Sequence, residues 1–110
     1  MIMGTIRYDS MLVEFDDRLL THLHIVIVQK LRHGESFAMS WLDSLTMGDG
    51  RSSIWLHSSL PLYFKFAGSK VPTISREWLD RLGESASSSS GLIVVNEDGS
   101  LARSQHAYQG

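Results

Sequence analysis

The stretch Gly48-Asp49-Gly50-Arg51 has the residue types of a phosphate-binding loop. Glycines leave backbone amides free to bind a phosphate, and arginine pairs with its oxygens. A phosphate loop, however, opens into a helix and usually carries a lysine followed by serine or threonine. Here the following residues alternate like a strand, and no lysine is near. Because an Asp-Gly pair between alternating runs is typical of a β-hairpin, we predict a hairpin loop at this point.

Residues that could bind a metal or act as a nucleophile are sparse. His22 and His24 stand two positions apart in a predicted helix, so their side chains point in different directions and make a poor metal pair. The chain has no cysteine and no His-Glu-x-x-His or Gly-x-Ser-x-Gly motif. Capping of a helix explains the neighbouring carboxylates of Asp16 and Asp17. We therefore predict no metal, no cofactor and no catalytic centre.

Composition and charge favour some classes of protein over others. The chain has 110 residues, which is enough for one folded domain. Its formal net charge of -2 lacks the basic excess that is typical of general nucleic-acid binders. The longest apolar run, residues 25–28, is far too short to span a bilayer, and the first residues do not resemble a secretory signal. We therefore predict a cytoplasmic protein that does not bind membranes.

Apolar periodicity predicts the order of the elements that must position these side chains. Two short strands, at residues 4–8 and 11–15, precede a helix that Asp16 caps and that Gly34 ends in a left-handed conformation. Further strands are expected at residues 36–42, 52–57, 62–66 and 92–95, with a shorter helix that Ser75 caps and that ends near Gly83.

The order β-β-α-β-β-β-α-β predicts an α+β fold. We expect a two-layer sandwich in which a mainly antiparallel sheet carries both helices on one face. A rolled sheet and a dimer that shares sheets are the alternatives. Residues 1–96 form the single predicted domain, and the polar residues 97–110 are expected to be a disordered C-terminal tail.

The sheet face that points away from the helices is where we expect the function to lie. If the apolar residues of each strand face the helices, the opposite face presents Ala38, Ser40, Trp55, His57, Tyr63 and Lys65. Exposed aromatic side chains are typical of protein interfaces, and the net negative charge favours a protein partner. We therefore predict a non-catalytic interaction or homodimerisation module with Trp41, Trp55 and Tyr63 as its interface anchors.

The alternative prediction is a role linked to nucleic acid or nucleotides, because an aromatic and basic platform can stack bases. The side chains concerned are Arg51, His57, Lys65 and Lys70 for phosphates, and Trp55 or Tyr63 for bases. Across both hypotheses the candidate binding residues are Arg51, Trp55, His57, Tyr63 and Lys65.

Three segments carry a resemblance to a known family. They read "MGTIRYDSMLVEFDDRLLTHLHIVIVQKLRHGESFAMSW", "GDGRSSIWLHSSLPLYFKF" and "SREWLDRL". Over roughly residues 3 to 96 the chain resembles a family of short actinobacterial proteins of unknown function, whose sequence records often carry the label "ATP-dependent DNA ligase". The resemblance implies no established activity.

The ligase label implies a Lys-x-Asp-Gly motif in which lysine attacks the α-phosphate of ATP. Asp49-Gly50 matches the end of that motif, and Met47 occupies the position of the lysine. A thioether cannot form the phosphoramidate intermediate. We therefore expect no self-contained ligase activity.

Overall fold

The computed structural model describes residues 3–109, apart from the side chains of Met47 and of residues 106–109. Its elements are β1 (Met3–Tyr8), β2 (Met11–Asp16), α1 (Asp17–Arg32), β3 (Phe37–Leu42), β4 (Arg51–Leu56), β5 (Leu62–Lys65), α2 (Arg76–Ala86), β6 (Leu92–Ile93) and β7 (His106–Gln109). The α+β class is confirmed, and so is the predicted order from β1 to β6. Strand β7, which was not predicted, follows β6.

The strands form two sheets instead of the single sheet that we expected. Sheet A has the order β5-β1-β2-β7 and is antiparallel throughout. Sheet B has the order β4-β3-β6, with β3 antiparallel to β4 and parallel to β6. The division arises because β5 returns to pair with β1 and not with β4. Alternation shows which face of a strand is buried, but it does not show which strand lies beside it.

Helix α1 begins and ends as predicted. The side chain of Asp16 accepts a hydrogen bond from the backbone N–H of Leu19 at 3.3 Å, which satisfies one of the free amides of the first turn. Lys30 and Arg32 lie in the last turn, where positive charge is favourable. Gly34 then adopts a φ of +73°, a conformation that glycine accepts without steric cost.

Helix α2 begins as predicted but runs further than expected. Ser75 Oγ accepts a hydrogen bond from the N–H of Trp78 at 3.2 Å. Gly83 does not end the helix, which continues to Ala86 because Leu82 and Ala86 extend the buried face started by Trp78. Burial of this stripe outweighs the weak helix propensity of one glycine.

The core lies between the inner faces of the two sheets and the two helices. The rings of Phe15 on β2 and Trp41 on β3 meet edge to face, with centroids 5.9 Å apart, and so join sheet A to sheet B. Trp41 is only 3% exposed. The prediction that it anchors an interface is therefore wrong, because its side chain points inward with those of Phe37 and Met39.

The segment after Asn96, which lies in the predicted C-terminal tail, makes backbone hydrogen bonds to both sheets. The N–H of Leu42 donates to the carbonyl of Ala102 at 3.0 Å, and the N–H of Gln105 donates to the carbonyl of Glu14 at 2.8 Å. Residues 101–105 thus pass from sheet B to sheet A, where β7 pairs with β2. Ala102 is buried, yet small side chains add little to the hydrophobicity of a sequence, so composition did not reveal this path.

Candidate functional site

Strand β4 presents the largest aromatic side chain of the predicted site. Its residues alternate, so that Arg51, Ser53 and Trp55 point outward from sheet B. Trp55 is 58% exposed, which is unusual for so large an apolar side chain. Beside it, Ser53 Oγ accepts a hydrogen bond from Ser40 Oγ on β3 at 3.0 Å. Arg51 and Trp55 therefore lie on one outer face with a small residue between them.

Hydrogen bonds on the far side of β3 show how the backbone of this sheet is oriented. The N–H of Leu42 donates to Ala102, and its carbonyl accepts from the N–H of Ser104 at 2.9 Å. The carbonyl of Ser40 accepts from the N–H of Val94 at 3.0 Å. Ser40 and Leu42 therefore direct their backbone groups away from β4.

The backbone of β4 consequently offers free groups at its outer edge. Residues of an antiparallel ladder alternate in the direction of their hydrogen bonds, so β3 bonds to β4 through Met39 and Trp41. Met39 and Trp41 are paired with Ile54 and Ser52. The remaining exposed residues of β4, Arg51, Ser53 and Trp55, therefore do not use their backbone groups to bond to β3. Within residues 3–109, β4 pairs with β3 alone. The N–H and carbonyl groups of these three residues are thus directed at an open edge.

The loop before β4 is a hairpin connection, as predicted. The N–H of Asp43 donates to the carbonyl of Gly50 at 2.9 Å. A single 3₁₀ turn, Leu45–Met47, precedes Gly48, and strand β4 follows Gly50 directly, so no helix starts after the motif. Arg103 holds this loop in place through two hydrogen bonds. Its guanidinium donates to the carbonyl of Asp43 at 2.9 Å and to the carboxylate of Asp49 at 3.1 Å. Asp49 is therefore engaged by a cation of the same chain. The side chain of Met47, at the position of the ligase lysine, lies outside the described residues.

A second group of predicted residues lies on the outer face of sheet A. Tyr63 and Lys65 point outward from β5, and Tyr63 is 58% exposed. The register of β1 places Arg7 opposite Tyr63 and Thr5 opposite Lys65. Arg7 was not among the predicted site residues, although alternation in residues 4–8 already sets it on the face opposite to Ile6. An aromatic ring and two cations thus share this surface.

The expected platform of aromatic and basic residues is divided between the two sheets. Tyr63 and Lys65 are together on sheet A, whereas Arg51 and Trp55 are together on sheet B.

His57 belongs to neither pair. It is half-buried beyond the end of β4, its ring meets the edge of the Tyr8 ring at 6.3 Å, and its Nδ1 accepts from the N–H of Ser59 at 3.3 Å.

Lys70, the remaining phosphate candidate, lies in the loop after β5. It lines a surface pocket of about 510 Å³ together with Asp16 and Asp17 at the start of α1. Asp17 accepts hydrogen bonds from the N–H groups of Ala67 and Gly68, at 2.9 and 3.3 Å, and so holds this loop in place. Arg18 also lines the pocket, so two carboxylates balance two cations and the lining has no excess positive charge that would favour an anion.

The two histidines of α1 serve the packing of the helix. The His22 ring is fully buried and stacks on the Trp78 ring, with centroids 4.3 Å apart. Its Nε2 accepts from the N–H of Ser75 at 2.9 Å, so the ring proton is on Nδ1 and is donated to the carbonyl of Arg18 at 2.7 Å. Burial lowers the pKa of His22. His24 points elsewhere, against the ring of Phe64. The different directions of the two side chains are confirmed.

Neither helix of the described part is long and apolar enough to cross a membrane.

Comparisons with known proteins identify the family of the chain. No curated protein and no solved structure matches the chain. A family model described as "Domain of unknown function (DUF7882)" matches residues 3–97, a range that includes both helices and strands β1 to β6, and the chain therefore belongs to this family.

Proposed function

We propose that this protein is a cytoplasmic, non-catalytic interaction module that associates with a second copy of itself through β4. The observation that carries the proposal is an open edge strand with the half-exposed side chain of Trp55 on it. Unpaired N–H and carbonyl groups in a row form a template for another strand. Aromatic side chains beside such an edge supply the apolar area that anchors an interface.

A comparison with the edge formed by β5 supports the choice of β4. Strand β5 also has an open edge, but it is shorter, Pro61 precedes it, and it carries Lys65. Proline and lysine are residues that natural sheets use to prevent pairing at an edge. Strand β4 contains neither, and its single charge, Arg51, lies at its first position. The edge of β4 is thus unpaired and has no proline or lysine that would prevent pairing.

Removal of the Trp55 side chain is expected to dissociate the dimer. The wild type should be dimeric at tens of micromolar by size-exclusion chromatography with light scattering. Trp55→Ala should raise the dimer Kd by at least about 30-fold, because truncation of one aromatic anchor costs about 2 kcal/mol and the dimer loses two of them. Tyr63→Ala is a matched control, because Tyr63 has the same exposed fraction but lies on sheet A. A wild type that stays monomeric well above micromolar concentration would contradict the proposal.

A second candidate function rests on the outer face of sheet A. There the register sets Arg7 beside Tyr63, with Lys65 on the same face. A ring flanked by two cations suits a single-stranded nucleic acid, because bases stack on aromatic rings while phosphates pair with the cations. The net charge of the whole chain argues against this role, so it ranks second.

A filter-binding titration with a single-stranded oligonucleotide tests this candidate. If it holds, affinity should fall steeply with salt, and Tyr63→Ala should weaken binding by about 1–3 kcal/mol through lost stacking. Here Trp55→Ala is the control and should bind like the wild type. Absence of binding at low salt, or binding that is insensitive to salt, would eliminate the candidate.

A further inference from the structure

On the basis of the proposed self-association, we infer that two copies pair β4 with β4 in antiparallel orientation about Ser53, so that Arg51 of each copy lies against Trp55 of the partner subunit. The inference follows from the direction of backbone groups and side chains in β4. It specifies the register of the interface, which the proposed function leaves open.

The alternation of β4 restricts the possible registers. Opposite residues in an antiparallel pair have their side chains on the same face of the sheet. The outward residues Arg51, Ser53 and Trp55 must therefore oppose outward residues of the second copy. These same three residues carry the free backbone groups, so face and hydrogen bonding impose the same requirement. Any register that sets Ser53 opposite Ile54 of the partner subunit is excluded.

Among the registers that remain, only one uses the whole strand. With Ser53 opposite the partner's Ser53, Arg51 opposes the partner's Trp55 and Trp55 opposes the partner's Arg51. Each such pair exchanges both N–H and carbonyl groups. A shift of one pairing step leaves either Arg51 or Trp55 opposite a residue outside β4, where the strand has ended. The symmetric register thus satisfies more backbone groups than its neighbours.

The side chains agree with this register. Ser53 is small, so two copies of it meet at the symmetry axis without crowding. Arg51 and Trp55 are both exposed in the single chain and come together across the interface, where a guanidinium over an indole ring is a favourable cation–π pair. On the inner face, half-buried Ile54 lies opposite the partner's Ser52. Sheet B would then continue through β4 into the sheet of the partner.

Disulfide trapping measures the register directly, because the chain has no cysteine of its own. Opposite Cα atoms of a hydrogen-bonded pair lie about 5.5 Å apart, within the range that a disulfide bridges. Mild oxidation of full-length Ser53→Cys should therefore yield most of the protein as a covalent dimer on a non-reducing gel. Ser58→Cys, an exposed position beyond β4, is the matched control and should remain a single chain.

Two further variants report the shifted registers. One step in either direction would set Ile54 opposite the partner's Ile54, or Ser52 opposite the partner's Ser52. Faster trapping of Ile54→Cys or Ser52→Cys than of Ser53→Cys would overturn the inferred register while leaving a β4 dimer in place. A dimeric wild type in which none of the three traps would move the interface away from β4. A monomeric wild type would instead remove the proposed function itself.

Discussion

Replacement of Gly91 by alanine is expected to lower the free energy of unfolding by about 3 kcal/mol. Gly91 has a φ of +79°, a region that costs an L-residue about 1–2 kcal/mol. A Cβ at this position would also lie 2.6 Å from the carbonyl oxygen of Ala38, which is backbone of β3 and cannot rotate away. Such overpacking adds about 1–3 kcal/mol. Denaturation in urea, followed by circular dichroism, measures the loss.

Two other glycines separate these causes. Gly34 has a similar φ of +73°, but nothing lies within 4 Å of an added Cβ, so Gly34→Ala should cost only about 1 kcal/mol. Gly83 lies inside α2 with open space around it, and Gly83→Ala should stabilise the protein by about 0.5–1 kcal/mol. If Gly91→Ala cost no more than Gly34→Ala, the backbone at Gly91 would not lie as close to β3 as the structure places it.

Acidification is expected to destabilise the fold through His22. Burial lowers the pKa of the folded-state ring, and a proton on Nε2 would oppose the N–H of Ser75 that now donates to it. When the pH is below about 6.5, the pKa of a histidine ring in the unfolded chain, the unfolded chain binds a proton that the folded chain does not bind. The stabilising contribution is therefore complete above that pH and is lost as the pH falls toward the folded pKa. The slope should be positive and can reach at most about 1.4 kcal/mol per pH unit, the value for a difference of one bound proton.

Charged neighbours of His22 modify this effect but do not reverse it. The Arg18 guanidinium, which lies 5.2 Å from the Trp78 ring, further lowers the pKa of His22, whereas the Arg18 carbonyl and the Glu97 carboxylate raise it. Arg18 and Glu97 are themselves an ion pair. Burial is the largest of these influences, so the direction of the shift is downward.

His22→Phe provides the control for the pH experiment. Phenylalanine keeps a ring against Trp78 but does not titrate. At pH 7 the variant should be less stable than the wild type by about 1–3 kcal/mol, because the Ser75 N–H loses its acceptor. Between pH 7 and pH 5, however, its stability should decline less steeply than that of the wild type. Parallel pH profiles would show that His22 does not carry the effect.

Local rules of sequence were sufficient to predict both helices and strands β1 to β6. Asp16 and Ser75 cap the two helices as expected, because a cap depends on residues three positions away. Pairing between strands depends on residues far apart in the chain, and here the prediction of a single sheet failed. Nothing in the alternation of residues 62–66 indicates that β5 lies beside β1 and not beside β4.

The same distinction applies to the candidate site. The outward direction of Trp55 and Tyr63 was correctly predicted, since alternation within one strand determines it. Their separation onto two sheets could not be foreseen, since it depends on the partners of β4 and β5. Trp41 shows a further difficulty: its size suggested an anchor, but alternation along β3 sets it on the buried face with Phe37 and Met39. Whether Arg51, Trp55, His57, Tyr63 and Lys65 bind a partner stays a prediction.

The pairing of β3 with β6, and of β1 with β5, has a consequence for how the chain folds. In both pairs the partners are separated in sequence by other complete elements, so their contacts form only after a long loop has closed. Folding should therefore take milliseconds to seconds instead of microseconds. During that interval β1 and β3 remain open on one side, and a crowded population of half-folded chains would be prone to aggregate.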